Sequence, residues 1–395
     1  MTKSIKLLLL LLSTFIANNA YCQIDYDQTI KPGDTRFDDY IPILRQKKVG
    51  LIINQTSVVS GNSLLDILIA EKINIVKIFV PEHGFRGKED AGSKIDNGID
   101  SATGIPILSL YGSHKKPKPE EIADIDIMVY DLQDVGVRFY TYISTLEYCM
   151  EASAENKKQF LVLDRPNPNG FYVDGPILEK ENRSFVGMQQ IPIVYGMTVG
   201  EYAKMLQGEN WFVSASLLDL KVIKCENYTH SKKYKLPIAP SPNLRNMAAI
   251  YAYPSLCLFE GTVISVGRGT NLPFGQFGCP EFEGKFAYTF SPHSGNGAKS
   301  PLYENKVCYG VLIGDDDKLT LEKINNQFNL DWLIDAYKNY PDKEKFFGSF
   351  FKKLSGSTEL EKQIKDGMPS EKIRATWRTG IDSFLITRKK YLLYP

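Results

Sequence analysis

The sequence is poor in the residues that hold metals and disulfide frameworks. It contains 6 cysteines and 4 histidines among 395 residues. No two cysteines form a C-x-x-C pair, the cysteine spacing is irregular, and no two histidines have the spacing of a metal-binding motif. We therefore expect buried free thiols rather than disulfides, and we predict that no metal is bound.

Neither sign of charge dominates the sequence. Lys and Arg together number 47 and Asp and Glu 46, so the formal net charge is +1. A protein that binds nucleic acid by bulk charge would be strongly basic, and we therefore predict no nucleic-acid partner. Aromatic residues make up 12% of the chain, which argues against disorder and supports a sizeable folded core.

Long hydrophobic runs are also lacking, apart from the start of the chain. Two lysines precede the apolar run Leu7 to Leu12, and Ala20-Tyr-Cys22 provides a cleavage site. Residues 1–22 are therefore predicted to be a signal peptide. We expect the mature chain to be exported, periplasmic or secreted, without an integral membrane segment. Lipid attachment at Cys22 is the less favoured alternative because the tyrosine before it is large for such a site.

Apolar runs alternate with helical patterns in the first half of the chain. Continuous apolar strands between amphipathic helices are typical of a parallel sheet covered on both faces. The pattern predicts a Rossmann-like, doubly wound α/β domain. The predicted strands are 49–53, 75–80, 106–111, 125–130 and 160–163, and the predicted helices are 63–71 and 141–155.

The sequence after residue 171 has a different pattern. Short strand-like pieces are separated by Pro and Gly up to about residue 300, and helical patterns return at 326–340 and from Ser370. This change predicts a second, smaller domain. We place the boundary near the proline-rich loop before residue 245, which gives domains 23–245 and 246–395.

Polar side chains follow four of the predicted strands. Ligands of open parallel sheets bind outside the carboxyl ends of the strands, so these side chains are candidates for a common site. They include carboxylates, amides and arginines. The candidates are Asn54, Glu82, His83, Arg86, Asp131, Gln133, Arg138, Tyr140, Asp164, Arg165 and Asn167.

Two carboxylates across a polar site suggest glycosidic chemistry. Glu82 is the strongest candidate because it directly follows an apolar strand and nearby glycines let the chain turn. Asp131 and Asp164 are the other candidates for catalysis. Four arginines could hold a carboxylated substrate bidentately: Arg86, Arg138, Arg165 and Arg268. The glycine-rich stretches fail the spacing of phosphate loops and G-x-S-x-G is absent, which disfavours nucleotide binding and serine esterase chemistry.

Three carboxylates could alternatively hold a hard cation. Asp131, Asp134 and Asp164 lie on the same predicted edge and could bind Mg²⁺ or Ca²⁺. Arg138 and Arg165 are close in sequence and can neutralise the same charges. We favour arginine pairing and predict that no metal, nucleotide or other cofactor is needed.

Several motifs in one order resemble the exo-β-N-acetylmuramidase family, often called NamZ. The likeness runs from about Gly50 to Tyr394. The motifs are Pro81-Glu-His-Gly-Phe-Arg-Gly87, Asp131-Leu-Gln-Asp-Val-Gly-Val-Arg-Phe-Tyr-Thr-Tyr142, Leu163-Asp-Arg-Pro-Asn-Pro168, Gly196-Met-Thr198, Ser241-Pro-Asn243, Glu260-Gly-Thr262 and Val266-Gly-Arg-Gly-Thr270.

The resemblance implies hydrolysis of N-acetylmuramic acid from the non-reducing end of peptidoglycan fragments, with a muropeptide or disaccharide as substrate. It implies a Rossmann-like domain joined to a smaller, barrel-like α+β domain, with the cleft between them. It also makes Glu82 the catalytic residue, adds Asn243 and Glu260 to the substrate-binding candidates, and retains Arg268 among them.

The sequence departs from the family pattern at three positions. Tyr195 stands where the family usually has His, Val263 where Asn is usual, and Glu281 where Trp is common. Roles for those family residues are therefore in doubt here.

Two catalytic routes and one other class of protein stay open. In a substrate-assisted route the N-acetyl group attacks the anomeric carbon and one acid/base suffices, whereas an inverting route needs two separated carboxylates. We favour the substrate-assisted route because Glu82 alone stands out. The alternative class is an exported sugar-binding protein without catalysis. An esterase or deacetylase would need a nucleophile or metal that the sequence does not offer.

Overall fold

A seven-stranded, mostly parallel sheet organises the first half of the chain in the computed structural model, which describes residues 24–82, 84–85 and 97–395. The strand order is β5-β6-β4-β1-β7-β8-β9, and every pair is parallel except β5 with β6. The strands are β1 (Lys48–Ile53), β4 (Asn74–Val80), β5 (Gly98–Ile99), β6 (Pro106–Ser109), β7 (Ile127–Asp131), β8 (Gln159–Leu163) and β9 (Leu220–Ile223); β2 (Val58–Val59) and β3 (Asn62–Ser63) form a separate hairpin.

Helices cover both faces of this sheet. Helices α1 (Phe37–Leu44) and α2 (Leu64–Ala70) pack against one face, and α4 (Tyr142–Glu155) and α5 (Val199–Gly208) pack against the other. The short α3 (Pro119–Ile122) precedes β7. Side chains of each strand alternate between the two faces, so successive residues join two different hydrophobic clusters.

The C-terminal part combines a small antiparallel sheet with helices. Its sheet has the order β10-β12-β11, with β10 (Gln276–Cys279), β11 (Tyr288–Phe290) and β12 (Cys308–Leu312). The helices are α6 (Met247–Leu256), α7 (Asp317–Ile324), α8 (Asp331–Asn339), α9 (Phe351–Ser355), α10 (Glu359–Lys365) and α11 (Ser370–Lys389). One hydrophobic cluster runs from the helix-covered α4/α5 face of the large sheet into this part.

The end of the chain returns to the large sheet. The Tyr394 hydroxyl donates to the Asp164 carboxylate at 2.6 Å, and the backbone N–H of Leu393 donates to Glu201 at 2.7 Å. Glu201 lies in the first turn of α5 and Asp164 directly follows β8. The C-terminal segment therefore helps to cover the carboxyl end of β8.

The predicted fold class is confirmed: a doubly wound parallel sheet is joined to a smaller α+β part. All five predicted apolar runs contain strands of the large sheet, and both predicted helices in this region form. Strand β9 and helices α5 and α6 lie where the sequence suggested only short strand-like pieces. Strand β9 is short and only partly buried, and α6 contains Pro254 and is buried on all sides, so neither shows the regular apolar periodicity of the earlier elements.

Two further expectations concern the described residues. No helix within the described ranges is both long and apolar enough to cross a membrane. The five cysteines of the described chain are buried free thiols, as predicted: Cys149, Cys225, Cys257, Cys279 and Cys308. The predicted signal peptide, residues 1–22, lies outside the described residues.

Candidate active site

A cavity of about 690 Å³ lies at the carboxyl edge of the large sheet, between this sheet and the C-terminal part. Strand β1 lies between β4 and β7, so the chain order reverses there, and open α/β sheets bind ligands at such a switch point. The loops after β4, β6 and β7 line one side of the cavity. Residues between 241 and 354 line the other side.

Glu82 presents a carboxylate on the cavity wall. The Tyr111 hydroxyl donates to its Oε1 at 2.8 Å, and the Thr141 hydroxyl donates to its Oε2 at 2.9 Å. Tyr111 follows β6, and Thr141 immediately precedes α4. Hydroxyl groups from the loops after β6 and β7 thus hold both oxygens of the carboxylate and orient it.

Aromatic rings form a continuous surface across the cavity. Phe139 packs edge-on against Tyr253 with ring centroids 5.4 Å apart, and Tyr253 packs edge-on against Phe274 at 4.9 Å. Tyr140 also contacts Tyr253, with centroids 6.1 Å apart. All four rings line the cavity. Rings packed against one another in this way give a rigid apolar surface that suits the flat face of a sugar.

An ion pair stands at the end of this aromatic surface. Arg268 Nε donates to Glu260 Oε1 at 2.5 Å, and the guanidinium lies 5.0 Å from the centroid of the Phe274 ring. About a quarter of each charged side chain is exposed. Burial opposes the charge on Arg268, but the Glu260 carboxylate more than compensates and raises the pKa of the arginine. The Nε bond leaves four further N–H donors on the guanidinium.

Two more predicted residues support the cavity wall. Tyr140 lines the cavity and its hydroxyl donates to the Pro240 carbonyl at 2.8 Å. Asn243 is buried behind the wall and donates to the Gly297 carbonyl at 2.7 Å. Asn243 therefore does not line the cavity itself, but it joins two loops that do.

The structure does not bring Asp131 or Arg165 to the cavity. Arg165 donates to both oxygens of Asp131, at 2.6 and 2.9 Å, and to Asp34 at 2.6 Å. All three side chains are almost completely buried. Because the three charged side chains pair with one another inside the protein, this cluster has a structural role. The geometry supports neither catalysis by Asp131 nor substrate binding by Arg165.

Asp164 is likewise buried away from the cavity. Its carboxylate accepts hydrogen bonds from the Thr198 hydroxyl at 2.7 Å, the Gly200 N–H at 2.7 Å and the Tyr394 hydroxyl. Burial raises the pKa of Asp164 to about 7, although these hydrogen bonds oppose the shift. The residue thus joins β8, the start of α5 and the C-terminal segment, and the geometry does not support its predicted catalytic role.

Arg138 binds backbone carbonyls instead of a carboxylate. Its guanidinium donates to the carbonyls of Pro176 at 2.9 Å, Ile191 at 2.8 Å and Ser355 at 2.7 Å. Burial lowers the pKa of Arg138 to about 9. The side chain ties the loops after β8 to the end of α9, so it is not placed to bind substrate.

Three predicted amides also stabilise loops beneath the cavity. Asn54 donates to the Tyr142 hydroxyl at 2.7 Å, Gln133 to the Pro166 carbonyl at 2.9 Å, and Asn167 to the Met197 carbonyl at 2.8 Å. None of the three is among the residues that line the cavity. His83 and Arg86 lie outside the described residues.

The sequence interpretation passed over two residues that contact Glu82. Tyr111 ends the third predicted apolar run, and Thr141 lies within the quoted motif that ends at Tyr142. Because Tyr111 is the last residue of an apolar run rather than a polar residue after it, its hydroxyl gives only a weak sequence signal.

The three positions that depart from the family pattern do not line the cavity. Tyr195 is buried and its hydroxyl donates to Asp134. Val263 packs against the core, and Glu281 lies in a short turn after β10. These replacements leave the composition of the described cavity wall unchanged.

The carboxylates considered for a cation have separate partners. Asp131 pairs with Arg165, Asp134 accepts from Tyr195 and the Gly136 N–H, and Asp164 accepts from the groups around α5. The part of the chain that the structure describes contains no group of three or more His, Cys, Asp or Glu side chains suited to a metal.

A carboxylate on an aromatic cavity at the carboxyl edge of a parallel sheet is the arrangement of an α/β enzyme site suited to a sugar. Two family models match the chain: the N-terminal domain of the exo-beta-N-acetylmuramidase NamZ at residues 49–248 and its C-terminal domain at residues 251–394. The chain belongs to this family and is a glycoside hydrolase.

Characterised and solved relatives are similar over nearly the whole chain. The peptidoglycan beta-N-acetylmuramidase NamZ of Bacillus subtilis (strain 168) is 38% identical over 389 residues, which is 91% of this chain and 90% of that protein. Two crystal structures of DUF1343 family proteins from Bacteroides fragilis NCTC 9343 are similar in fold. One has 47% identity and a TM-score of 0.85, covering 92% of this chain and 99% of that chain. The other has 31% identity and a TM-score of 0.78, covering 93% and 99%.

Proposed function

We propose that this chain is an exo-acting hydrolase that releases N-acetylmuramic acid from the non-reducing end of peptidoglycan-derived muropeptides or disaccharides, with Glu82 as the acid/base. The observation that carries the proposal is the Glu82 carboxylate, fixed by two hydroxyls on the wall of an aromatic cavity. The activity in the name of the Bacillus subtilis relative supports the same substrate class.

The cavity favours a route in which the substrate supplies the nucleophile. Glu82 and Glu260 are the carboxylates among the described lining residues, and Glu260 is paired with Arg268. A carboxylate that is neutralised by an arginine is a weaker nucleophile or base. The N-acetyl group of the substrate would then attack the anomeric carbon while Glu82 protonates the leaving oxygen.

Arg268 is the candidate for recognition of the lactyl carboxylate. N-acetylmuramic acid differs from N-acetylglucosamine by this anionic group. Among the arginines predicted to bind it, Arg138 and Arg165 are buried on other partners, whereas Arg268 lines the cavity. A guanidinium can bind Glu260 through Nε and a second carboxylate through its terminal N–H groups.

The proposal is tested on a disaccharide of N-acetylmuramic acid linked to N-acetylglucosamine, reduced at its reducing end. The wild-type protein should release free N-acetylmuramic acid, identified by mass. Glu82→Gln removes the titrating group and should lower kcat by about 10²- to 10⁴-fold. Glu120→Gln, on an exposed part of α3, is the matched control and should retain turnover. Near-normal turnover by Glu82→Gln would refute the assignment.

We also propose that the chain is exported after removal of residues 1–22. The charged start, the short apolar run and the small residue before the cleavage site support this proposal. Mass analysis of the protein secreted by its native host should find an N-terminus at Gln23. An intact N-terminus, or a lipid on Cys22, would contradict the proposed processing.

A further inference from the structure

A second cavity of about 580 Å³ adjoins the first. Three chain segments supply neighbouring residues to both cavities. Leu244 lines the first cavity and Arg245 the second. Likewise, Arg268 lines the first cavity and Gly269 the second. The third segment lines the second cavity with residues 293–296 and the first with residues 297–302. The two cavities therefore share one partition.

The partition between the cavities is fixed by Arg245. Its Nε donates to the Pro242 carbonyl at 2.8 Å, and its terminal nitrogens donate to the carbonyls of Asn296 at 3.1 Å and Thr270 at 3.4 Å. One guanidinium thus connects all three segments. Three of the five N–H donors of Arg245 bind backbone carbonyls, so the side chain has a structural role in the partition.

The second cavity has the chemistry of a site for a neutral sugar. Tyr288 and Phe290 present half-buried rings to it, with centroids 6.3 Å apart. Asn271, Gln276 and Asn296 also line it, and the Gln276 amide is held by hydrogen bonds with Thr270 and Tyr288. No carboxylate is among the described lining residues, and the ionisable ones are Arg245 and His293. Aromatic faces with a few amides suit an N-acetylated hexose better than a charged peptide.

The partition begins next to the groups that hold Glu82. Thr141 donates to the Glu82 carboxylate, and the preceding residue, Tyr140, donates to the Pro240 carbonyl at 2.8 Å. Ser241, the residue after Pro240, is the first residue of the partition that lines the cavity. A substrate bond broken beside Glu82 would therefore lie close to the start of the partition.

We propose that the second cavity binds the leaving side of the glycan, beginning with a neutral N-acetylglucosamine on the reducing side of the cleaved bond. This inference rests on the proposed function, because it assumes that Glu82 acts on a bond to N-acetylmuramic acid. The first cavity holds the released sugar and the second holds the sugar that leaves with the rest of the chain.

The test compares two substrates that share N-acetylmuramic acid and differ in the leaving group. One is the disaccharide with N-acetylglucosamine and the other is an aryl muraminide. Phe290→Ala should lower the ratio of kcat/KM for the disaccharide to that for the aryl substrate by roughly tenfold, which corresponds to about 1.4 kcal/mol of lost contact. Asn271→Ala, at an exposed loop position, should shift the ratio in the same direction without affecting the core.

Thr289→Ala is the matched control. Thr289 lies between the two cavity-lining rings of β11 but is exposed and does not line the cavity. This variant should keep the wild-type ratio. If Phe290→Ala and Asn271→Ala lower kcat/KM equally for the two substrates, the second cavity does not bind the leaving sugar and the inference is wrong.

A binding measurement separates this inference from the proposed function. Saturation-transfer NMR should detect free N-acetylglucosamine on the wild-type protein and a loss of that signal in Phe290→Ala and Asn271→Ala. If the wild type cleaves neither substrate, the proposed function fails and the assignment of a leaving side fails with it, whereas this signal still tests whether the second cavity binds N-acetylglucosamine. Unchanged binding in both variants would overturn it.

Discussion

Two groups of polar side chains predicted to form the site differ in what surrounds them. Glu82, Glu260 and Arg268 line an open cavity, whereas Asp131 and Arg165 form a closed pair beneath it with almost no exposure. The residues of both groups lie in the sequence motifs that resemble the family. The comparison teaches that a polar residue at the end of a strand identifies the functional edge of a sheet, but burial decides whether it meets the substrate.

The buried pair should be the more important group for stability. Arg165→Met leaves the carboxylates of Asp131 and Asp34 buried without their cation, and should lower the free energy of unfolding by about 3–5 kcal/mol. Urea denaturation measures this loss. Arg378→Met, at an exposed ion pair with Asp382, is the control and should change stability by less than about 1 kcal/mol.

If Arg165→Met were as stable as the wild type and had lost only activity, the division between the two groups would fail. Arg165 would then belong with the cavity residues.

The cavity group should determine specificity with little effect on stability. Arg268→Ala should remove the proposed charge-assisted contact with the lactyl carboxylate, worth on the order of 1.5–3 kcal/mol. The variant should therefore lose about 10- to 100-fold in kcat/KM on an aryl muraminide. It should lose less on the matching aryl glucosaminide, which lacks the lactyl group.

Lys299→Ala provides the comparison for Arg268, because Lys299 is the other cation among the described residues of the cavity wall. Equal losses of kcat/KM by Arg268→Ala on the muraminide and the glucosaminide would show that Arg268 does not bind the lactyl group. A loss confined to Lys299→Ala would transfer that role to the lysine.

Buried carboxyl groups should make the protein more stable at mildly acidic pH. Burial raises the pKa of Asp134 to about 6 and that of Asp164 to about 7, against 3.8 in the unfolded chain. Between pH 3.8 and these raised pKa values, the folded state holds more protons than the unfolded state. The free energy of unfolding therefore falls as the pH rises through about 4 to 7. At about 1.4 kcal/mol per pH unit for each group, we expect a decrease of about 4 kcal/mol between pH 5 and pH 8.

Asp134→Asn sharpens this pH prediction. The amide removes one titrating group while its oxygen can still accept from Tyr195 and the Gly136 N–H. Denaturation across the same pH range should show a shallower decrease for the variant. An unchanged slope would show that Asp134 does not titrate in the folded protein within this range.

The fold could be predicted further than the site. The apolar runs identified the sheet because strands buried on both faces leave a continuous pattern. Glu82, Glu260 and Arg268 were also found, and all three line the cavity. Strand β9 was missed because its four residues are only partly apolar and pair at the edge of the sheet.

The orientation of strand-end residues could not be predicted. In β7, Ile127 and Val129 belong to the hydrophobic cluster under α1 and α2, and Asp131 continues that alternation. The pleat therefore turns Asp131 toward its buried partner Arg165. The sequence carries this alternation, but it does not reveal which face of the sheet meets the cavity, because the position of the C-terminal part decides that.

The central claim is that Glu82 protonates the leaving oxygen, and the dependence of the Glu82→Gln rate on the leaving group tests it most directly. A good leaving group such as dinitrophenol needs little protonation, whereas a sugar alcohol needs much. We predict that kcat/KM of Glu82→Gln is close to that of the wild type for the dinitrophenyl muraminide and about 10²- to 10⁴-fold lower for the disaccharide. The same loss for both leaving groups would contradict it.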